Sequence, residues 1–165
     1  MKNANIIILC ALMVGCNGAK TYKAGDDPIQ ACEDIAKAAE KLLGDSGESA
    51  AAYRSALDDC QIRIGDKVTD VGAEYANCVL KAESGSAVRA CHKDSEQKFL
   101  DEKTKVIEEL SVELWKEICK GGVEEDDPRL KEITRIENEA RALGFSQADT
   151  NAMLERVREK SGCDL

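Results

Sequence analysis

The fold is decided by residues 78–91, whose sequence is CVLKAESGSAVRAC. Its centre, residues 84–86, is a Ser-Gly-Ser turn signal. On both sides of this turn, apolar side chains recur at steps of three and four residues, which is the spacing of one helix face. The two stripes cover about 50–82 and about 87–120, and the short turn between them predicts a long antiparallel helical hairpin.

Helix start and stop signals place three shorter helices around this hairpin. Proline after aspartate opens helices at about 29–43 and 128–143, and glycine closes both of them. A last helix is expected at about 146–160. Within the first long helix, Gly65 is the one place open to a kink or a break. The sequence therefore predicts an all-α protein of five helices, in a single domain that spans residues 28–165.

Residues 1–16, MKNANIIILCALMVGC, resemble the signal peptide of a bacterial lipoprotein. Lys2 gives a positive start, and the apolar run at 6–15 is about half the ~20 residues that a membrane-spanning helix requires. The resemblance implies that residues 1–15 are removed and that Cys16 carries the lipid. Residues 16–27 would then be a lipidated tether, and the protein would be exported and anchored to a bacterial membrane.

Asn17 follows the lipidated cysteine. In a cell with two membranes, the lack of aspartate at this position favours the outer membrane. Whether the domain faces the periplasm or the cell surface is left open by the sequence.

The cysteine count indicates a disulfide framework. Cleavage removes Cys10 and lipidation uses Cys16, which leaves an even set in an exported protein. The set consists of Cys32, Cys60, Cys78, Cys91, Cys119 and Cys163. Six cysteines allow about 15 pairings. Two helices joined by a short turn bring together residues that are equidistant from the turn. This geometry favours the pairs Cys32 with Cys60 and Cys78 with Cys91. The two cysteines that are left, Cys119 and Cys163, would form the third pair. The fold is therefore predicted to be a disulfide-stapled helical bundle.

Charge and composition limit the partners. The chain has 23 lysines and arginines against 32 aspartates and glutamates, for a formal net charge of −9 at pH 7. Such a chain is repelled by phosphate backbones and by anionic lipid, so nucleic acid is not an expected partner. The membrane is expected to be contacted through the N-terminal lipid.

The half of the hairpin nearest the turn carries the predicted binding residues. The favoured disulfide pairing gathers the shorter helices at the other end and leaves about 68–106 as a two-helix arm. Val71, Tyr75 and Phe99 then have only one partner helix to cover them and are predicted to bind another protein. The alternatives are that the short helices cover this stripe or that the chain folds back at Gly65.

Catalytic and metal-binding patterns are sparse. His92 is the only histidine and adjoins Cys91, whose sulfur is expected to be oxidised. The acidic run at 124–127 lacks the ligand spacing of a calcium loop and suits a helix start. Neither a catalytic residue nor a metal ligand is assigned, no cofactor is expected, and the protein is predicted not to be an enzyme. Carboxylate pairs for glycoside chemistry remain an alternative among so many acids.

The segments Cys78-Val79-Leu80-Lys81-Ala82 and Ala90-Cys91 resemble a short motif of small cysteine-paired helical lipoproteins of Gram-negative bacteria. The motif implies a stapled hairpin and no activity. The leading hypothesis is a non-enzymatic envelope lipoprotein, a protein-binding or structural module with a protein partner of unknown identity. The alternative is an exclusion or inhibitor lipoprotein that blocks a phage, plasmid or envelope-hydrolase function.

Overall fold

The computed structural model describes residues 20–43 and 49–162, and these residues form six α-helices. The helices are α1 (Pro28–Leu43), α2 (Ser49–Ile64), α3 (Asp70–Leu80), α4 (Gly85–Ile118), α5 (Pro128–Ala142) and α6 (Gln147–Ser161). Among the described residues there is no strand. The predicted all-α class and the disulfide-stapled helical bundle are therefore confirmed.

The continuous helix expected at 50–82 is wrong, because the chain breaks between α2 and α3. Gly65 adopts a left-handed φ of 65° and its amide hydrogen-bonds to the Gln61 carbonyl at 2.9 Å, which ends α2. Four residues later the Thr69 side chain accepts a hydrogen bond from the Gly72 amide and starts α3. The sequence indicated that the helix could kink or break at Gly65. The N-cap at Thr69, which starts a separate helix, was not predicted.

The hairpin about residues 84–86 is real but short. The Ser84 side chain accepts from the Ala87 amide at 3.2 Å and starts α4 at the predicted position. Antiparallel packing of α3 on α4 extends from this turn to a hydrogen bond between Thr69 and Glu102. Beyond that point α2 turns away and packs on α1, and the remainder of α4 is covered by α5 and α6.

Helix α4 has 34 residues, about 51 Å of helix, and serves both halves of the molecule. Its first half packs with α1, α2 and α3 around Tyr75, Phe99 and Ile35, which we call the N-terminal core. Its second half packs with α5 and α6 around Ile107, Met153 and Val157, which we call the C-terminal core. Leu100 contacts both cores.

A close approach fixes α1 against the start of α4. An added Cβ at Gly85 would lie 2.6 Å from the Leu43 side chain and 2.9 Å from the Leu42 carbonyl oxygen. Only glycine fits at this position, so the C-terminal end of α1 reaches the hairpin turn. Helix α1 consequently runs along the segment that the sequence predicted to be an uncovered arm.

Two predicted disulfides are confirmed. Cys32 is bonded to Cys60 across α1 and α2, and Cys78 to Cys91 across α3 and α4. The chain-entropy model gives these loops of 28 and 13 residues about 3.6 and 2.9 kcal/mol of stabilisation. Cys119 is also disulfide-bonded, while its predicted partner Cys163 lies outside the described residues.

Residues 20–26, predicted as part of a tether, are packed against the domain, and we call them the strap. Tyr22 is 4% exposed, and its backbone amide and carbonyl both hydrogen-bond to the Asn77 side chain at 2.8 Å. Its hydroxyl donates to Asp34 on α1 at 2.6 Å. The Gly25 amide donates to the Val68 carbonyl at 2.8 Å, so the strap is held at both of its ends.

Candidate functional site

The face predicted to bind a partner is part of the N-terminal core. Tyr75 and Phe99 are 1% and 0% exposed, and their rings pack edge to face with centroids 5.6 Å apart. Val71 is half-buried and packs against the same core. The prediction that these residues form an exposed binding face is wrong, because α1 packs on both α3 and α4 and covers the stripe. The alternative that a short helix covers it is the correct one.

Polar groups surround the Tyr75 ring but form no reactive set. The Tyr75 hydroxyl lies 3.2 Å from His92 Nδ1, and the Arg63 guanidinium lies over the ring, 5.9 Å from its centroid. Burial raises the pKa of Tyr75, and burial together with the nearby Arg63 charge lowers the pKa of His92. Both groups are therefore neutral at pH 7. The Cys91 sulfur beside His92 is held in its disulfide, so it is not a thiol nucleophile.

A surface groove of about 630 Å³ lies between α4 and α6. We call it the α4–α6 groove. Its apolar lining comes from Leu100 and Val112 on α4, Ala152 on α6, and Phe145 from the connection before α6. On α4 the lining extends from Gln97 to Lys116, about 29 Å of helix. The groove is therefore long and shallow, with an apolar floor.

Charged side chains form the rim of the α4–α6 groove. Five carboxylates and four cationic side chains line it. Glu108 on α4 accepts hydrogen bonds from both Arg156 and Lys160 on α6, so one carboxylate bridges the two helices. The hydrogen bond from Lys160, opposed by partial burial and reinforced by Arg156, lowers the pKa of Glu108. The bridge fixes the spacing of the two walls.

The α2–α3 break forms a second concavity, of about 300 Å³, where it meets α4 and α5. Lys103, only 8% exposed, donates to Glu139 at 2.6 Å, and Arg135 pairs with Glu139 from the other side. Arg135 also reaches Asp66 in the break at 3.2 Å. Lys103, Glu139, Arg135 and Asp66 are thus joined in one ion-pair network, which links the α2–α3 break to α4 and α5.

The acidic run before α5 serves the helix start, as the sequence indicated. The Asp127 side chain accepts from the Arg129 amide at 2.8 Å and caps α5, with Pro128 at its first position. Hydrogen bonds from the Arg129 side chain and amide lower the pKa of Asp127 to about 2. Within the described residues no cluster of three or more histidine, cysteine, aspartate or glutamate side chains is placed to hold a metal ion.

The predicted lipidation site, Cys16, lies outside the described residues. In the part of the chain that is described, no helix is long and apolar enough to cross a membrane.

The α4–α6 groove and the strap were both missed by sequence reasoning. Phe145 follows Gly144 directly and was placed in a connection, although an aromatic residue between two helices is a signal for packing. Tyr22 is a comparable aromatic signal inside a segment interpreted as a tether.

Comparison with models of protein families, with curated protein sequences and with solved structures finds no match to this chain.

Proposed function

We propose that this protein is an exported, lipid-anchored protein of a bacterial envelope, and that its helical domain binds a helix of another protein in the α4–α6 groove. In this proposal the domain binds its partner and catalyses no reaction. The observation that carries the proposal is the groove itself, which extends about 29 Å along α4, has apolar side chains from Leu100 to Val112 on that helix, and is crossed by the Glu108 bridge. The anchor part of the proposal rests on the lipoprotein-like residues 1–16.

The shape of the groove favours one face of a helix over a small molecule. Its volume of 630 Å³ lies within the range of about 300–1,000 Å³ for small-ligand sites, but such sites enclose most of their ligand. Here the volume is spread along five turns of α4 and is open to solvent along its length. An amphipathic helix that places apolar side chains at every third or fourth position matches such a floor.

The charges of the rim indicate the chemistry of the occupant. Glu108 engages both Arg156 and Lys160, so one carboxylate is shared by two cations and these three side chains keep a net charge of +1. Of the other charged residues on the rim, Asp101, Glu109, Glu113 and Asp149 outnumber Lys105 and Lys116. The rim as a whole therefore has one more carboxylate than cations, and this small acidic excess, together with the net charge of −9, favours a helix with an apolar stripe and basic flanks.

In-cell photo-crosslinking tests the proposal directly. A photoreactive residue is placed at Thr104 in the α4–α6 groove and, in a separate strain, at the exposed Lys37 on α1. We expect one abundant crosslinked protein from Thr104 and none from Lys37. Mass spectrometry of the N-terminal peptide in the same cells is expected to show a lipid on Cys16.

Two matched substitutions on α6 give the control. Both residues are exposed, but Ala152→Glu places a charge inside the α4–α6 groove, whereas Leu154→Glu places the same charge outside it. Loss of the Thr104 product in Ala152→Glu, with retention in Leu154→Glu, supports a helix in the groove. Equal yields in both variants would contradict it. The blocking hypothesis, which relies on surface charge, instead predicts capture that falls steeply with added salt.

A further inference from the structure

The strap shortens the connection between the predicted lipid and the folded domain. If 16–27 were a simple tether, eleven residues would separate Cys16 from the first helix at Pro28. The structure instead fixes the chain from Lys20 onward. Lys20 donates to Asp34 at 2.8 Å, and Tyr22 is held by Asn77 and Asp34.

Only Asn17, Gly18 and Ala19 stand between Cys16 and Lys20. A chain spans at most about 3.5 Å per residue, so the Cα atoms of Cys16 and Lys20 are separated by no more than ~14 Å. A tether that extended to Pro28 would allow about 42 Å. The strap therefore reduces the maximum reach of the anchor about threefold, whatever conformation residues 17–19 adopt.

We infer that the strap holds the domain against the membrane surface, with the side of α1 near Lys20 facing the lipid. This inference rests on the lipid anchor of the proposed function. Lys20 lies beside Asp34 on α1, and Lys37 is exposed one turn further along the same helix. The lipid headgroups are the ligand of this surface, held there by the covalent anchor.

The strap also limits how the domain moves on the membrane. Its attachment point at Lys20 stays within ~14 Å of the lipidated residue, so the domain pivots about this point and does not move away as a whole.

Energy transfer to vesicles measures the distance. The full-length lipidated protein, with a donor fluorophore introduced at Lys37, is inserted into phosphatidylethanolamine and phosphatidylglycerol vesicles that carry a headgroup acceptor. A matched variant has twelve glycine and serine residues inserted between Ala19 and Lys20. This insertion leaves every strap contact in place and lengthens the free chain to a root-mean-square span of about 22 Å.

We expect higher energy transfer in the native chain than in the insertion variant, because the root-mean-square span of its free chain is about twofold shorter. Asn77→Ala removes both hydrogen bonds to the Tyr22 backbone and is expected to lower the transfer as well, whereas Asn138→Ala on the exposed side of α5 is not. Circular dichroism confirms that each variant is folded.

Failure of the strap inference can be distinguished from failure of the proposed lipid anchor. Equal transfer in the native and insertion chains, with both proteins lipidated and bound to vesicles, would overturn the strap inference alone. An unmodified Cys16 and no binding to vesicles would overturn the anchor and the inference together.

Discussion

The two halves of the molecule share α4 but are stabilised differently. The N-terminal core buries the rings of Tyr75 and Phe99 and is crossed by two disulfides. The C-terminal core is smaller among the described residues, and charged pairs such as Lys103 with Glu139 and Glu108 with Lys160 surround it. Helices α1 and α3 pack directly on the first half of α4, with α2 packed on α1, while only α5 and α6 cover the second half. The second half keeps an open groove.

This difference explains why the candidate site is not where the cysteine pattern suggested. Apolar burial contributes most where helices surround a stripe completely, and such a stripe is no longer available to a partner. In the C-terminal half, three helices leave part of the α4 surface open, and charge pairs hold the walls of the groove. The more extensive apolar core and the open groove thus lie along different halves of one helix.

The largest expected effect on the free energy of unfolding comes from a substitution in the N-terminal core. Phe99→Ala removes a fully buried ring and is expected to lower the free energy of unfolding by about 4 kcal/mol. The matched control, Leu154→Ala at a 44% exposed position, is expected to cost less than ~1 kcal/mol. Urea denaturation followed by circular dichroism gives both values.

In the same urea experiment, the fluorescence of Trp115 reports the unfolding of the C-terminal core. Trp115 is the only tryptophan and packs against the C-terminal core. Because α4 and Leu100 join the cores, we expect the Trp115 transition in Phe99→Ala to move together with the dichroism. A Trp115 midpoint that stays at the native value would show that the two cores unfold independently.

The next effect comes from the disulfides. Replacing Cys32 and Cys60 together by alanine is expected to cost about 3.6 kcal/mol, and replacing Cys78 with Cys91 about 2.9 kcal/mol, because the first pair closes the longer loop. Unfolding of the two double variants by urea, compared with the oxidised native chain, measures the difference. A larger loss from the Cys78 pair would contradict the loop-length explanation.

Local signals predicted much of this fold. The starts of α4 and α5 follow from Ser84 and from Asp127 with Pro128, since each cap is encoded within four residues. The pairs Cys32 with Cys60 and Cys78 with Cys91 followed from symmetry about a turn, because an antiparallel pair of helices fixes which residues face each other. Such features depend on short stretches of chain.

Features that depend on tertiary packing were not predicted. The helical stripe continues in phase across Gly65, so periodicity alone did not show that α2 turns away to pack on α1. Coverage of Tyr75 by α1 depends on the close approach at Gly85, which a sequence does not display. The α4–α6 groove likewise exists only once α6 has packed beside α4.

At the boundary of the two halves, the pair of Lys103 and Glu139 gives a smaller effect. Lys103→Met leaves the mostly buried Glu139 with Arg135 alone and is expected to cost about 2 kcal/mol, below the full penalty for breaking a buried pair. The double variant Lys103→Met with Glu139→Met is expected to recover most of this loss. Urea unfolding of the native chain, the two single variants and the double variant completes the cycle.

The control for this cycle is Lys105→Met, two residues along α4. The Lys105 side chain is 75% exposed and pairs with Glu109 at 3.9 Å, so its loss is expected to cost less than ~0.5 kcal/mol. A double variant as unstable as the sum of its two single variants would show that Lys103 and Glu139 do not interact in solution.

The smallest expected effect concerns the bridge across the α4–α6 groove and depends on pH. Because the folded pKa of Glu108 is depressed, the bridge stabilises the protein above the ordinary carboxyl value of 4.5, and this contribution is lost as the pH falls through the lower folded value. Glu108→Gln should therefore destabilise the protein at pH 7 by less than about 1 kcal/mol and should match the native chain in strong acid. Thermal unfolding at pH 7 and pH 3, with Glu109→Gln as a carboxylate paired only within α4, measures this difference. If Glu108→Gln lowered the stability equally at both pH values, the loss would come from packing of the Glu108 side chain and not from the charge bridge between α4 and α6.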